Sequence, residues 1–98
     1  MAAYLIVDVE VKDPAGYERY RAGVPALIRK HGGEYLVRGG HLEVIEGTWR
    51  PKRVVVLKFP DRQAAQAFID DPEYRPLKEL RHRAAQTDLV LVDGVQDR

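Results

Sequence analysis

The chain has 98 residues, with 16 Lys and Arg against 15 Asp and Glu, and it contains no cysteine. This length predicts one domain, residues 1–98, in which residues 95–98 are expected to form a frayed tail. The near-neutral, interspersed charge argues against the basic footprint of a nucleic-acid binder, and the lack of cysteine excludes disulfides and thiolate metal sites. With no apolar run long enough for a membrane span, we expect a cytoplasmic protein without nucleic-acid or membrane partners.

The first third of the chain predicts a strand followed by a helix. Residues 4–11 are apolar and β-rich, and Asp13-Pro14 then supplies an N-cap and a first-turn proline. The next apolar residues recur at helical spacing up to the glycines after His31, and they are Tyr17, Tyr20, Val24, Leu27 and Ile28.

The middle of the chain predicts a hairpin with a long tip. Its strands are residues 35–45, which contain Gly39-Gly40, and residues 53–59. The segment Arg38-Gly39-Gly40 lacks the spacing of a phosphate loop, because strand-like sequence rather than a helix follows it. We therefore interpret it as a β-bulge or strand break that could direct Arg38 or His41 into a cleft.

The last third predicts an interrupted helix and a final strand. Pro60-Asp61 opens the helix, residues 70–72 interrupt it, and residues 74–85 continue it before a strand at 88–94. The resulting order βαββαβ is typical of an α+β, ferredoxin-like sandwich with an antiparallel sheet and its helices on one face.

The two faces of the predicted sheet are both rich in apolar residues. One face carries Leu5, Val7, Val9, Val55, Leu57 and Phe59, and the other carries Tyr4, Ile6, Asp8, Val54, Val56 and Lys58. The helices can cover only the first face, and the second is too apolar for a face left in water. We therefore expect a homodimer in which a second copy packs on this face, giving a dimeric α+β barrel.

Aromatic residues indicate a candidate binding cleft. Tyr17, Tyr20, Trp49 and Tyr74 could line the gap between sheet and helices, with Arg38 as an anchor for an anion. Alternatively, Tyr17 and Tyr20 belong to the core and Trp49 closes the dimer edge.

Other polar residues give weaker indications. Asp8 and Lys58 share the second sheet face and could form a polar pair, structural in one interpretation and catalytic in the other. The three histidines show no metal-ligand spacing, so we expect neither a metal site nor a cofactor.

Five stretches together resemble the family catalogued as domain of unknown function 1330, over nearly the whole chain. They are "DPAGYERY" (13–20), "GGEYLVRGG" (32–40), "EGTWRPKRVVVLKFP" (46–60), "DPEYRPLKELR" (71–81) and "LVLVDGV" (89–95). The resemblance implies a dimeric α+β barrel and no established reaction. Arg38, Glu46, Trp49 and Tyr74 match the family pattern and join Tyr20 as site candidates, whereas Lys58 stands where members often carry an acidic residue.

The sequence leads to two functional hypotheses. The first is a small homodimer that binds, and in its stronger form transforms, a small organic molecule in a sheet–helix cleft. The alternative is a non-catalytic ligand-sensing or protein-interaction module, because no nucleophile–base pair or metal-ligand spacing is evident.

Overall fold

The computed structural model describes residues 1–95 and contains the expected α+β architecture. Its elements are β1 (Ala3–Val11), α1 (Pro14–Lys30), β2 (Glu34–Arg38), β3 (Val54–Phe59), α2 (Arg62–Asp70), a 3₁₀ turn (Pro72–Tyr74), α3 (Arg75–Ala84) and β4 (Ala85–Asp93). The strands form one antiparallel sheet in the order β2-β3-β1-β4. The expected frayed tail lies outside the described residues except for Val95.

The core lies between the sheet and the helices. Residues of β1 alternate between buried and half-buried, because successive side chains of a strand point to opposite faces. The buried core includes Leu5, Val9, Val24, Leu27, Ile28, Leu57, Phe59, Phe68 and Tyr74. The face expected to carry the helices is therefore the face that carries them.

The hairpin between β2 and β3 differs from the expected one. Strand β2 ends at Arg38 rather than at residue 45, and residues 39–53 form a connection without regular secondary structure. Gly39 ends the strand with a φ of 70°, while its N–H still donates to the Val54 carbonyl oxygen at 2.9 Å. The Gly-Gly pair is thus a strand break, and the irregularity in pairing lies earlier, between Tyr35 and Val37.

The interrupted helix is present as expected. Asp61 begins α2, and its side chain accepts a hydrogen bond from the Ala64 N–H at 2.7 Å. Asp71 and Pro72 end that helix and begin the 3₁₀ turn that leads into α3. Strand β4 begins at Ala85, three positions before the expected start at residue 88, because it pairs with β1 along its whole length.

The second face of the sheet has no helix packed on it. It exposes apolar residues on both edge strands, with Leu36 51%, Val90 53% and Val92 45% exposed. Half-buried Ile6 and Val56 lie between them on the central strands. We call this surface the open face.

None of the helices described in residues 1–95 combines the length and the apolar character needed to cross a membrane.

Candidate functional site

A cavity of about 290 Å³ lies between the helix-facing side of the sheet and the helices. Its apolar lining comes from Leu5, Val7, Val9, Val24, Ile28, Val55, Leu57, Phe68, Ile69 and Leu89. Its polar lining comes from Tyr17, Tyr20, Tyr35, Tyr74, His82, Arg21, Arg38, Arg53, Lys78 and Arg81. Concave, mostly apolar sites of this kind bind small organic molecules, and this volume is near the lower end of their range.

A bulge in β2 brings Arg38 to the cavity. Tyr35 lies opposite Leu57, but Val37 lies opposite Val56, so Leu36 is an extra residue in the strand. Strict alternation would place residue 38 on the open face, and the extra residue moves it to the helix-facing side. The Arg38 guanidinium carbon then lies 4.5 Å from the Tyr35 ring centroid.

Two tyrosine hydroxyls meet at the cavity wall. The Tyr20 and Tyr74 oxygens are 2.9 Å apart, and their rings are 6.4 Å apart. Burial, followed by the proximity and hydrogen bond of Tyr74, raises the pKa of Tyr20 well above its usual value, so its hydroxyl keeps its proton. Only one of the two hydroxyl protons is used in the mutual bond, and the other can be donated to a ligand.

Four basic residues of the lining each lie near a tyrosine ring. Besides the Arg38–Tyr35 contact, the distances from cation to ring centroid are 5.9 Å for Arg53 and Tyr17, 5.5 Å for Lys78 and Tyr74, and 5.8 Å for Arg81 and Tyr20. Attraction between a cation and an aromatic face helps to hold each charge at the cavity wall.

The charged residues of the cavity lining are basic. Among residues 1–95, no acidic residue lines the cavity. Of its basic residues, Arg21 pairs with Glu18 at 3.1 Å, whereas the other four form no salt bridge within residues 1–95. The cavity therefore favours a ligand with negative charge.

His82 lies at the cavity and is largely exposed. Partial burial, together with the nearby charges of Arg81 and Lys78, lowers its pKa below the ordinary value of 6.5. The imidazole is therefore neutral at neutral pH and can accept a proton.

The family model described as "Domain of unknown function (DUF1330)" matches residues 2–95. The chain belongs to this family. The finding confirms the resemblance seen in the five sequence stretches, and it brings no reaction with it. A search of curated proteins finds no match.

Solved structures support the ferredoxin-like fold of this DUF1330 protein. A protein of unknown function from Rhodopseudomonas palustris aligns with a TM-score of 0.78 at 17% identity, covering 98% of this chain and 84% of that one. SnoaB, a cofactor-independent oxygenase from Streptomyces nogalater, aligns with a TM-score of 0.66 at 15% identity, covering 98% and 95%. A dimeric ferredoxin-like protein of unknown function from Jannaschia sp. CCS1 aligns with a TM-score of 0.64 at 13% identity, covering 96% and 100%.

The DUF1330 chain brings together three of the five candidate ligand-binding residues. Tyr20, Arg38 and Tyr74 line the cavity. Glu46 and Trp49 instead line a shallow hollow formed by the 39–53 connection and Val54. The sequence prediction placed Trp49 in the cleft with the tyrosines. In a single chain, Trp49 lies outside the cavity.

The expected pair of Asp8 and Lys58 is not formed. Asp8 lies opposite Val54 and Lys58 lies opposite Tyr4, so the two side chains are four residues apart along the paired strands. The Asp8 carboxylate instead accepts hydrogen bonds from Trp49 Nε1 at 3.2 Å and from the Lys52 backbone N–H at 3.0 Å. Asp8 thus fastens the 39–53 connection to β1.

Sequence reasoning missed the basic residues Arg53, Lys78 and Arg81, although two patterns could have found them. Lys78 and Arg81 follow Tyr74 at spacings of four and then three residues, so all three share a side of α3 and its preceding turn. Arg53 precedes Val55 by two positions, which places it on the helix-facing side of β3. Positions alone could not show that these charges form no salt bridge within residues 1–95.

Proposed function

We propose that this protein binds a small organic molecule in the cavity between its sheet and helices. Arg38 binds an anionic or carbonyl group of that molecule, and Tyr20 and Tyr74 pack against it. The supporting observation is the cavity itself, which combines an apolar floor with a hydroxyl pair and with basic groups that form no salt bridge among the described residues.

We also propose that the protein acts as a homodimer joined through the open face. Exposed Leu36, Val90 and Val92 make that face more apolar than a solvated surface needs to be. The Jannaschia protein with the same fold is described as dimeric, which supports this assembly. A second copy would leave the cavity, on the other side of the sheet, accessible to ligands.

Screening tests the binding function. The purified protein is tested by thermal shift against small aromatic and aliphatic molecules with and without acidic groups, and each hit is then titrated. We expect at least one molecule to stabilise the protein, since a ligand that binds only the folded state shifts unfolding by mass action. If no molecule raises the melting temperature, the proposal fails.

Variants locate the binding site. Arg38→Gln removes the charge at the β2 bulge, and we expect it to weaken binding by about tenfold, the loss of one charged hydrogen bond. Arg29→Gln makes the same charge change at an exposed position of α1 and should leave binding unchanged. Trp49→Ala should also have no effect, and the opposite pattern, with loss in Trp49→Ala alone, would place the site in the hollow.

Transformation of the bound molecule is the second candidate function. The neutral imidazole of His82 at the cavity is the observation that favours it, because removal of a substrate proton needs such an acceptor. SnoaB, which has the same fold, is described as a cofactor-independent oxygenase, and this supports an enzymatic role for the fold. A hit incubated in air and recovered unchanged would instead support the sensing module.

The pH dependence of any turnover identifies the acceptor. Protonated His82 cannot accept a proton, so the rate should fall as the pH drops below the lowered pKa of this residue, on the acidic side of 6.5. His82→Gln should remove that limb of the profile together with most of the activity, whereas His41→Gln, at an exposed position of the 39–53 connection, should leave both unchanged.

A further inference from the structure

We infer that the ligand of the cavity is an organic carboxylate, bound by the guanidinium groups of Arg81 and Arg53, which both line it. This inference rests on the ligand-binding function proposed above and names the chemical class of the ligand. It concerns residues that the sequence did not single out, on the part of the cavity wall formed by α3 and the start of β3.

Arg81 is a buried basic residue of the cavity wall with one nitrogen that has no partner in the described residues. The residue is 5% exposed, and its Nη1 donates a hydrogen bond to Thr87 Oγ1 at the start of β4. Its Nε is buried and has no hydrogen-bond partner among the described residues. The Thr87 bond holds the guanidinium in place at the cavity wall, where a carboxylate can accept charge-assisted hydrogen bonds from it.

Like Arg21, Arg53 repeats this feature of a buried, unpartnered Nε at the cavity wall. Its Nε is also buried without a partner in the described part of the chain, and its guanidinium lies against the ring of Tyr17. The Tyr17 and Tyr20 rings, which contact Arg53 and Arg81 respectively, are 5.7 Å apart. Two guanidinium groups thus face a neighbouring pair of aromatic rings.

The cost of burying the charge of Arg81 points to the kind of partner it needs. A buried cation without a counter-ion is costly, and buried polar groups are nearly always hydrogen-bonded. Within the described part of the chain, the cavity lining supplies no carboxylate. A bound carboxylate would supply both the charge and the acceptor oxygens that Arg53 and Arg81 lack.

The rest of the cavity lining indicates the chemistry of the ligand beyond its carboxylate group. It is mostly aliphatic and aromatic, so the remainder of the molecule should be apolar. Benzoate and benzamide are suitable probes, because they share a flat apolar ring and nearly the same shape but differ in charge.

Isothermal titration of the purified protein with benzoate and with benzamide tests the inference. We expect benzoate to bind at least about tenfold more tightly, the effect of one charge-assisted bond. Arg81→Gln should remove most of this preference, whereas Arg83→Gln, an equal charge change at an exposed position of the same helix, should retain it. If Arg81→Gln does not fold, Arg53→Gln is compared with Lys52→Gln in the same way.

The outcomes separate this inference from the proposed function. Equal binding of both probes, or a preference that survives Arg81→Gln and Arg53→Gln, would overturn the carboxylate inference and leave the binding function intact. Binding of neither probe at concentrations up to about 10 mM would overturn the carboxylate inference, and a failed screen of neutral and acidic molecules would overturn the function as well.

Discussion

At the scale of single residues, Asp71 holds the helix break in position. Its Oδ2 lies 2.8 Å from His31 Nε2 and 3.0 Å from Lys30 Nζ, and its Oδ1 accepts a hydrogen bond from the Glu73 N–H at 2.9 Å. The C-terminal end of α1 is thereby joined to the turn that places Tyr74 in the cavity wall. The bonds from His31, Glu73 and Lys30, in that order, hold the pKa of Asp71 well below its ordinary value.

Asp71→Asn tests this contribution through its pH dependence. A carboxyl group whose pKa is lower in the folded state stabilises the fold above its unfolded pKa, near 3.9, and this stabilisation is lost as the pH falls through the folded value. We expect Asp71→Asn to lower the free energy of unfolding at pH 6, and the gap to wild type to narrow at pH 3. Urea unfolding of both proteins at pH 6 and pH 3 measures this difference in free energy.

Two features make this comparison specific to charge. Asparagine keeps a side-chain oxygen for the Glu73 N–H, so the cap on the 3₁₀ turn is retained. Asp70→Asn changes the neighbouring, exposed carboxylate and should show a smaller effect. A pH-independent loss in Asp71→Asn would contradict the electrostatic account.

At the scale of elements, the end of β2 determines what reaches the cavity. Leu36 adds the extra residue that turns Arg38 toward the helices, and Gly39 then ends the strand. A Cβ at Gly39 would lie 2.4 Å from the Arg53 guanidinium carbon, so this glycine also makes room for a cavity residue. Two basic residues of the site therefore depend on one short segment.

Gly39→Ala and Gly40→Ala form a matched pair that tests this role. Alanine at residue 39 would have to adopt a positive φ and displace Arg53, and we expect a loss of about 1–3 kcal/mol in the free energy of unfolding. At residue 40 a Cβ meets nothing within 4 Å, so we expect a change within about 0.5 kcal/mol. Denaturant titration of both variants measures these free energies of unfolding. Equal losses of stability in the two variants would refute the role given to Gly39.

The same segment shows how far sequence reasoning extends. The order of elements, the helix break at Asp71 and the helix-facing residues followed from periodicity and from turn residues. The bulge could not be predicted in this way, because Leu36 is an ordinary strand residue. It becomes the extra residue of the strand only through the pairing of β2 with β3. The Gly-Gly pair identified the right region, but local sequence could not distinguish a bulge there from a strand end.

The candidate site was predictable in part for a similar reason. Tyr20, Arg38 and Tyr74 could be grouped because aromatic and basic residues near a cleft suggest binding. The position of Trp49 depends on a bond to Asp8, which is distant in sequence, and no local pattern contains it. The unpaired charge of the cavity is likewise a property of the whole arrangement.

At the scale of the whole molecule, the proposed dimer surface and the proposed binding cavity lie on opposite sides of the sheet. The apolar residues of this face lie on the side of the sheet opposite the cavity. A dimer formed there would bury them and leave both cavities accessible on the outer sides. Substitutions on the open face should therefore weaken dimer formation without affecting ligand binding, and substitutions in the cavity should do the reverse.

Val90→Lys tests the dimer. Val90 is 53% exposed and pairs with Ile6 on the open face. Because a two-fold interface carries every substitution twice, two lysines would be desolvated together, and we expect dimer affinity to fall by at least about 100-fold. Sedimentation velocity measures this, with Val95→Lys, an equal change at a residue beyond β4, as the control. A wild-type monomer at micromolar concentration would contradict the assembly.

The most direct test of the central claim is amide chemical-shift mapping of the ¹⁵N-labelled protein during titration with a small-molecule hit. The account predicts that the shifted resonances belong to the cavity lining, with Tyr20, Arg38 and Tyr74 among those that move most. Shifts confined to the hollow around Trp49 or to the open face would contradict it.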